Sequence, residues 1–250
     1  MLKELKNLIA FLTIIPVGMD QDYLTDAANY MCLFPLVGAL IGLLAGIVAW
    51  FLLNALAGLV VGIFTLGFLL LITGLHHTDG LLDFGDGIMY HGAPEKKLEI
   101  MHDQQIGTGG LTLALIVILA TTFSIAQLNQ SFIVQSLVIS EVSAKLSMVL
   151  MAWVGKSARM GMNTYFVNAM HSQHRNIHLI VALSIAFSIA TLFLRVVGFT
   201  VVVVGLATAL VLVGISNRHF GGVTGDVFGA GNELARLASL IAISVMTKWM

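Results

Sequence analysis

From Met31 to Leu75 the chain runs for 45 residues without one charged side chain. About 20 apolar residues carry a helix across a hydrocarbon core roughly 30 Å thick, so the stretch is long enough for two crossings. In lipid the backbone must satisfy its own hydrogen bonds, which leaves helices or a closed barrel. The apolar runs are continuous and do not alternate, which excludes the barrel. The remainder of the chain agrees: 58% of its 250 residues are hydrophobic, 10% are charged, and 25 glycines suit closely packed membrane helices. The sequence predicts an all-α, polytopic transmembrane helical bundle, one integral membrane domain over residues 1–250.

Apolar runs between polar punctuation place about seven spans near residues 31–53, 55–75, 109–127, 131–154, 177–195, 197–216 and 233–249. Asn54, and Asn129 with Gln130, each mark a tight helical hairpin. Leu2 to Pro16 is too short to span and is expected to lie in the interface or re-enter. No cleavable signal peptide is evident, because Leu8 to Ile15 is short and no small-residue cleavage site follows it. The single cysteine, Cys32, excludes an intramolecular disulfide and a cysteine-rich metal site. With a net charge of -1 and no basic patch, no nucleic-acid partner is expected.

Lys and Arg set the orientation. An inside amino terminus puts Lys3, Lys6, Lys96, Lys97, Lys156, Arg159, Arg175 and Arg218 on the cytoplasmic side of a cell membrane. Only Arg195 and Lys248 fall outside, while Lys145 and Arg236 lie within spans. The same topology brings all eight histidines and the polar loops 76–108, 155–176 and 217–232 to that face. Active-site loops are therefore expected on the cytoplasmic surface.

The first of these loops opens HHTDGLLDFGDGIMYHG, residues 76–92. Asp79, Asp83 and Asp86 are spaced i, i+4, i+7, so on a helix they share one stripe, with His76 a turn before. Like charges in a row repel unless a cation or proton compensates. Carboxylate oxygens are hard ligands that suit Mg²⁺, which takes one or two carboxylates plus substrate phosphates and water. The competing readings are solvated loop residues and a histidine-rich transition-metal site using His76 and His77. Downstream, KKLEIMHDQQIGTGG sets Glu99 and Asp103 at i, i+4 ahead of Gly107 and Gly109, whose amides could hold an anion at a helix start. The third loop, GGVTGDVFGAGNE, adds Thr224, Asp226 and Glu233. Within the fourth span Glu141 and Lys145 stand at i, i+4: either an ion pair, or a lysine reaching for phosphate.

TGLHHTDGLLDFGDG, LEIMHDQQIGTGG and GGVTGDVFGAGNE, in that order between apolar spans, closely resemble the signature segments of the cobalamin synthase family. FLTIIPVG and FPLVGALIGLL are also similar, so the resemblance covers nearly the whole chain. It implies an adenosylcobinamide-GDP ribazoletransferase, a membrane enzyme of the last steps of cobalamin assembly. Such an enzyme joins adenosylcobinamide-GDP to alpha-ribazole or its 5'-phosphate, releases GMP and uses Mg²⁺. Carried over by motif, Asp79, Asp83 and Asp86 are expected as metal ligands, with Asp226 completing that site or holding a second ion. His76 or Asp103 is expected as the base, and Glu99, Gly107, Gly109, Lys145, Thr224 and Glu233 on substrate. A CDP-alcohol phosphotransferase would carry an Ala-Arg pair after its first aspartates, which Asp79 to Gly87 lacks. A divalent-cation transporter would set its ligands near the bilayer midplane. Gly38, Gly42 and Gly46 form a small-residue stripe that could pack within one bundle or between protomers of a homo-oligomer.

Overall fold

The computed structural model describes residues 2–18 and 21–248. Its helices are α1 (Leu2–Leu12), α2 (Tyr23–Asn29), α3 (Phe34–Leu52), α4 (Gly58–Ile72), α5 (His76–Met89), α6 (Pro94–Ile100), α7 (Thr108–Ala126), α8 (Ile133–Val154), α9 (Met162–Met170), α10 (Arg175–Phe220) and α11 (Gly225–Thr247), with a 3-10 turn at Met31–Leu33. Among the described residues no strand forms, and one isolated bridge joins Ser157 to Val223. The all-α expectation holds.

Helices lie at each expected span, but not all are spans by length and composition. Met31–Leu52, Thr108–Ala126, Ile133–Val154 and Arg175–Phe220 qualify, and a fifth counts if the bent pair Gly58–Ile72 and His76–Met89 is one span. Two features account for the difference from seven. α10 is 46 residues long but has non-helical backbone at Leu194 and Arg195, the latter with φ 47°. The rings of Phe187 and Phe199 are 4.9 Å apart, whereas twelve residues of straight helix would separate them by about 18 Å. The chain therefore doubles back there into two antiparallel arms. α11 starts earlier than expected, at Gly225, and carries Asp226, Glu233 and Arg236. Trp249, the end of the expected seventh span, lies outside the described residues.

α8 is the axis of the bundle. Every residue from Ser136 to Ala152 is buried, which a helix achieves only when neighbours cover it all round. α3 covers one side through its glycines: a β-carbon at Gly38 would come 2.5 Å from the Glu141 carbonyl oxygen, and one at Gly46 would come 2.8 Å from Val134 Cα. Gly42 meets the Leu137 carbonyl in the same way. The stripe is thus used inside the bundle. α10 and α11 cover the rest.

Charge holds α8 to α11. Glu141 accepts from Arg236 Nε and from Lys145 Nζ, the second at 3.5 Å. Arg236 Nη1 donates to Glu233 Oε2 at 2.5 Å, Lys145 Nζ to Asn232 Oδ1 at 2.6 Å, and Asn232 Nδ2 to Glu233 Oε1 at 3.1 Å. Two acids and two bases close a neutral ring with essentially no solvent contact.

Removing one charge from such a ring leaves another uncompensated, at a typical cost of about 3–5 kcal/mol. Arg236→Met is expected to lower the thermal unfolding temperature of the detergent-solubilised protein sharply. Adding Glu141→Met, which restores neutrality, is expected to recover part of the loss. A double variant no more stable than Arg236→Met would contradict charge balance as the cause.

Candidate active site

α4 does not run on into α5. Gly74 (φ 65°) and Leu75 (φ 63°) are both left-handed, and the helix axis turns through 95°. α5 therefore lies across the end of the bundle, with its acidic stripe intact on a continuous helix. It crosses the start of α11 at glycine contacts: a β-carbon at Gly80 would meet Asp226 Cα at 2.9 Å, and one at Gly229 would meet the His77 carbonyl at 3.0 Å. Backbone contact this close sets Asp79 and Asp83 beside Asp226.

Asp83 is half-buried, and its carboxyl is pushed up to about 7. Burial is the first cause, followed by the charges of Asp226, Asp79 and Asp86. Burial also raises Asp226, against the hydrogen bond from Thr224 and the charge of Arg159. Thr224 caps α11: its Oγ1 accepts from Val227 N at 3.2 Å and donates to Asp226 Oδ2 at 3.2 Å. His77 is buried, and burial with the charges of Lys145, Arg236 and His76 keeps it neutral, far below the usual histidine range. His76 is exposed.

His76, His77, Thr224 and Asp226 line a cavity of about 480 Å³. All three polar loops feed it: His102 comes from the first, Arg159 and Asn163 from the second, and Thr224, Gly225, Asp226, Phe228 and Gly229 from the third. Loops two and three are zipped together. Val223 N donates to Lys156 O at 2.8 Å, Ala158 N to Val223 O at 3.0 Å, and Asn163 Nδ2 to Val223 O at 2.9 Å. The amino-terminal segment closes the cavity with Ala10, Phe11 and Tyr23.

Other expected residues stand elsewhere. Asp86 accepts from Gly107 N and Gly110 N, both at 2.8 Å. The amides of Gly107 and Gly110 at the start of α7 are thus taken by the chain's own carboxylate. Gly107 and Gly109 line a separate cleft of about 350 Å³ together with Asp86 and Asp103. Asp103 Oδ1 accepts from Gln105 N at 3.1 Å, so the two candidate bases, His76 and Asp103, face different cavities. Glu99 is exposed and paired with Lys96 at 2.5 Å. Lys145 and Glu233 belong to the core ring, where a charge without a partner could not stay, and neither lines either of these two cavities. Arg159, Asn163 and the aromatic wall were not assigned from sequence; Phe11 and Phe34 do fall in the family-like segments FLTIIPVG and FPLVGALIGLL.

Among the described residues, no three His, Cys, Asp or Glu side chains converge tightly enough to chelate an ion by themselves. The donor set still fits a hard cation held jointly with substrate. Asp83 feels the like charges of Asp226, Asp79 and Asp86, and Mg²⁺ needs only one or two carboxylates when phosphates and water supply the rest. The sign of the Asp83 shift makes a testable consequence. Its folded-state value is raised, so the stability it lends is full below the ordinary carboxylate range and lost as pH rises through about 7. With divalent ions chelated, Asp83→Asn is expected to raise the unfolding temperature at pH 8 and leave it nearly unchanged at pH 3.

Residues 4–244 match a family model described as Cobalamin-5-phosphate synthase. Relatives named adenosylcobinamide-GDP ribazoletransferase include one from Methanocella arvoryzae, 36% identical over 266 residues, covering 100% of this chain and 98% of the relative. Another, from Methanosarcina mazei, is 34% identical over 259 residues, covering 97% of this chain and 92% of the relative. A third, from Pyrococcus abyssi, is 31% identical over 244 residues, covering 96% and 97%. No solved structure matches the chain. The match runs through all three loops that build the cavity and the helices that carry them, and the chain belongs to the cobalamin-5-phosphate synthase family.

Proposed function

We propose that this chain joins adenosylcobinamide-GDP to alpha-ribazole or its 5'-phosphate and releases GMP, and that the cavity at the α5–α11 crossing is where it does so. The observation that carries this reading is the meeting of half-buried Asp83 and Asp226 beside a cavity fed by all three polar loops. In the reaction a ribose hydroxyl oxygen bonds to the phosphorus attached to cobinamide. The bond from that phosphorus to the bridging oxygen of GMP breaks, GMP leaves with the electron pair, and the hydroxyl proton passes to a base.

His76 is the group suited to take that proton. It lines the cavity and is exposed, and an imidazole is the side chain most often used for general-base proton transfer. Asp79, Asp83 and Asp226 would hold Mg²⁺, which when bound supplies positive charge against the diphosphate and the departing phosphate. Thr224 keeps Asp226 turned toward that position through its 3.2 Å hydrogen bond. Asp86 anchors the ridge to α7 and acts on the site through its charge on Asp83. Arg159 lies close enough to act on Asp226 and lines the same cavity, so it is placed to balance an anionic substrate. The excess of Lys and Arg in the polar loops supports a cytoplasmic site in a cell membrane.

A cation transporter would need open ionisable groups deep among the membrane helices. The buried ones here, Glu141, Lys145, Glu233 and Arg236, are spent on one another.

Purified protein supplied with adenosylcobinamide-GDP, alpha-ribazole and Mg²⁺ is expected to release GMP, to stop on chelation and to resume on Mg²⁺ repletion. No GMP from a folded sample under conditions where a relative reacts would reject the reading. Asp83→Asn and Asp226→Asn are each expected to lower kcat about 100-fold or more with unfolding temperature at neutral pH held or raised. Retained turnover in either would remove that residue from the site.

A further inference from the structure

The cavity has two chemistries. Around Asp226 stand Thr224, hydrogen-bonded to it, and Arg159, whose charge acts on it. The other group is aromatic. Phe11 of α1, Phe34 at the start of α3 and Phe166 of α9 come together, with ring centroids 5.2 Å apart for Phe11 and Phe166, 6.0 Å for Phe34 and Phe166, and 6.3 Å for Phe11 and Phe34. All three line the same cavity, and Met31, Met148 and Met162 join them there.

We propose that this aromatic wall is the subsite for the base of the acceptor nucleoside, and that α1 is part of it. The inference rests on the transferase reading above and says which substrate takes the cavity and which way round. A volume of about 480 Å³ lies within the roughly 300–1,000 Å³ of pockets that enclose ligands of drug size. A nucleoside fits that range; a whole corrinoid nucleotide does not. The occupant should be flat and apolar at one end and polar at the other, because the lining is. Two bases occur among the substrates. The base of alpha-ribazole is a dimethylated benzimidazole, with no exocyclic N–H or carbonyl. Guanine carries both, and phenylalanine and methionine side chains offer neither a strong donor nor a strong acceptor to receive them. Polar edges buried without partners are costly, so the aromatic wall selects the benzimidazole. Rings and thioethers favour it further by stacking and sulfur contacts. With the base against Phe11 and Phe166, the ribose points to the end where His76 and Asp226 stand.

The geometry also gives the amino-terminal helix a place in the site. Asn7 Nδ2 of α1 donates to Asp26 Oδ2 of α2 at 2.8 Å, and this pair fixes the helix whose next turn presents Ala10 and Phe11 to the cavity.

The test is steady-state GMP release by the full-length protein with each substrate varied in turn. Phe11→Ala opens the wall at a partly exposed position, and Ala10→Leu fills the cavity without removing any core side chain. Each is expected to raise KM for alpha-ribazole about tenfold, with kcat and KM for adenosylcobinamide-GDP within about twofold of wild type. Free dimethylbenzimidazole is expected to compete with alpha-ribazole and not with adenosylcobinamide-GDP. Unchanged KM for alpha-ribazole in both variants, or a rise confined to adenosylcobinamide-GDP, overturns the subsite while wild-type turnover keeps the transferase reading. A folded wild type that releases no GMP overturns both.

Discussion

The ring of Glu141, Lys145, Asn232, Glu233 and Arg236 is the constraint from which the site follows. It joins two helices that could otherwise slide past each other, since apolar side chains in lipid give little preference for one register over another. Hydrogen bonds between charged groups do give one: α11 can move neither a turn up nor down against α8 without leaving a buried charge unpaired. Asp226 sits on the same helix about 9 Å before Asn232, at 1.5 Å rise per residue. Fixing the register in the core therefore fixes where Asp226 emerges.

The molecule uses ionisable groups in two opposite ways. In the core, each acid has a base against it, and the charges stabilise packing but face nothing reactive. At the end of the bundle Asp83 is raised to about 7 by burial and by the like charges of Asp226, Asp79 and Asp86, and among the described residues no base is paired with it. Such an arrangement persists only if something outside the chain completes it or a proton does. The Asp86 carboxylate is intermediate. Its two amide hydrogen bonds tie α5 to α7, so it holds the ridge in place while adding to its charge.

Much of this was legible in the residues. The uncharged run from Met31 to Leu75 fixed the class, and the i, i+4, i+7 spacing of Asp79, Asp83 and Asp86 found a real helical stripe, because both depend only on local period. What escaped were partners distant in the chain. Gly107 and Gly109 read as an anion site; the amides of Gly107 and Gly110 are held by the carboxylate of Asp86, some twenty residues back, and no local signal could have named that partner. Lys145 read as an ion pair or a phosphate ligand, and only the placement of Asn232 and Arg236 on a facing helix decides for the core. Leu2 to Pro16 was expected in the interface or re-entering, and local sequence carried no sign of the contact of Phe11 with Phe34 and Phe166 that draws α1 over the cavity.

That contact bears on how a membrane enzyme can handle one very large and one small substrate. A corrinoid nucleotide cannot be enclosed by a chain of this size, so its reacting phosphorus must be brought to the surface of the bundle, where the acidic ridge of α5 lies. A nucleoside can be taken into a cavity of this size, and the amino-terminal helix, α9 and the start of α3 line a volume of that order. On the proposed assignment, holding the nucleoside there would offset part of the entropic cost of bringing two molecules together with binding energy from the apolar base. On the proposed assignment the aromatic wall and the charged rim of the cavity divide the work: one half would hold the acceptor still, and the other would bear the charge that moves.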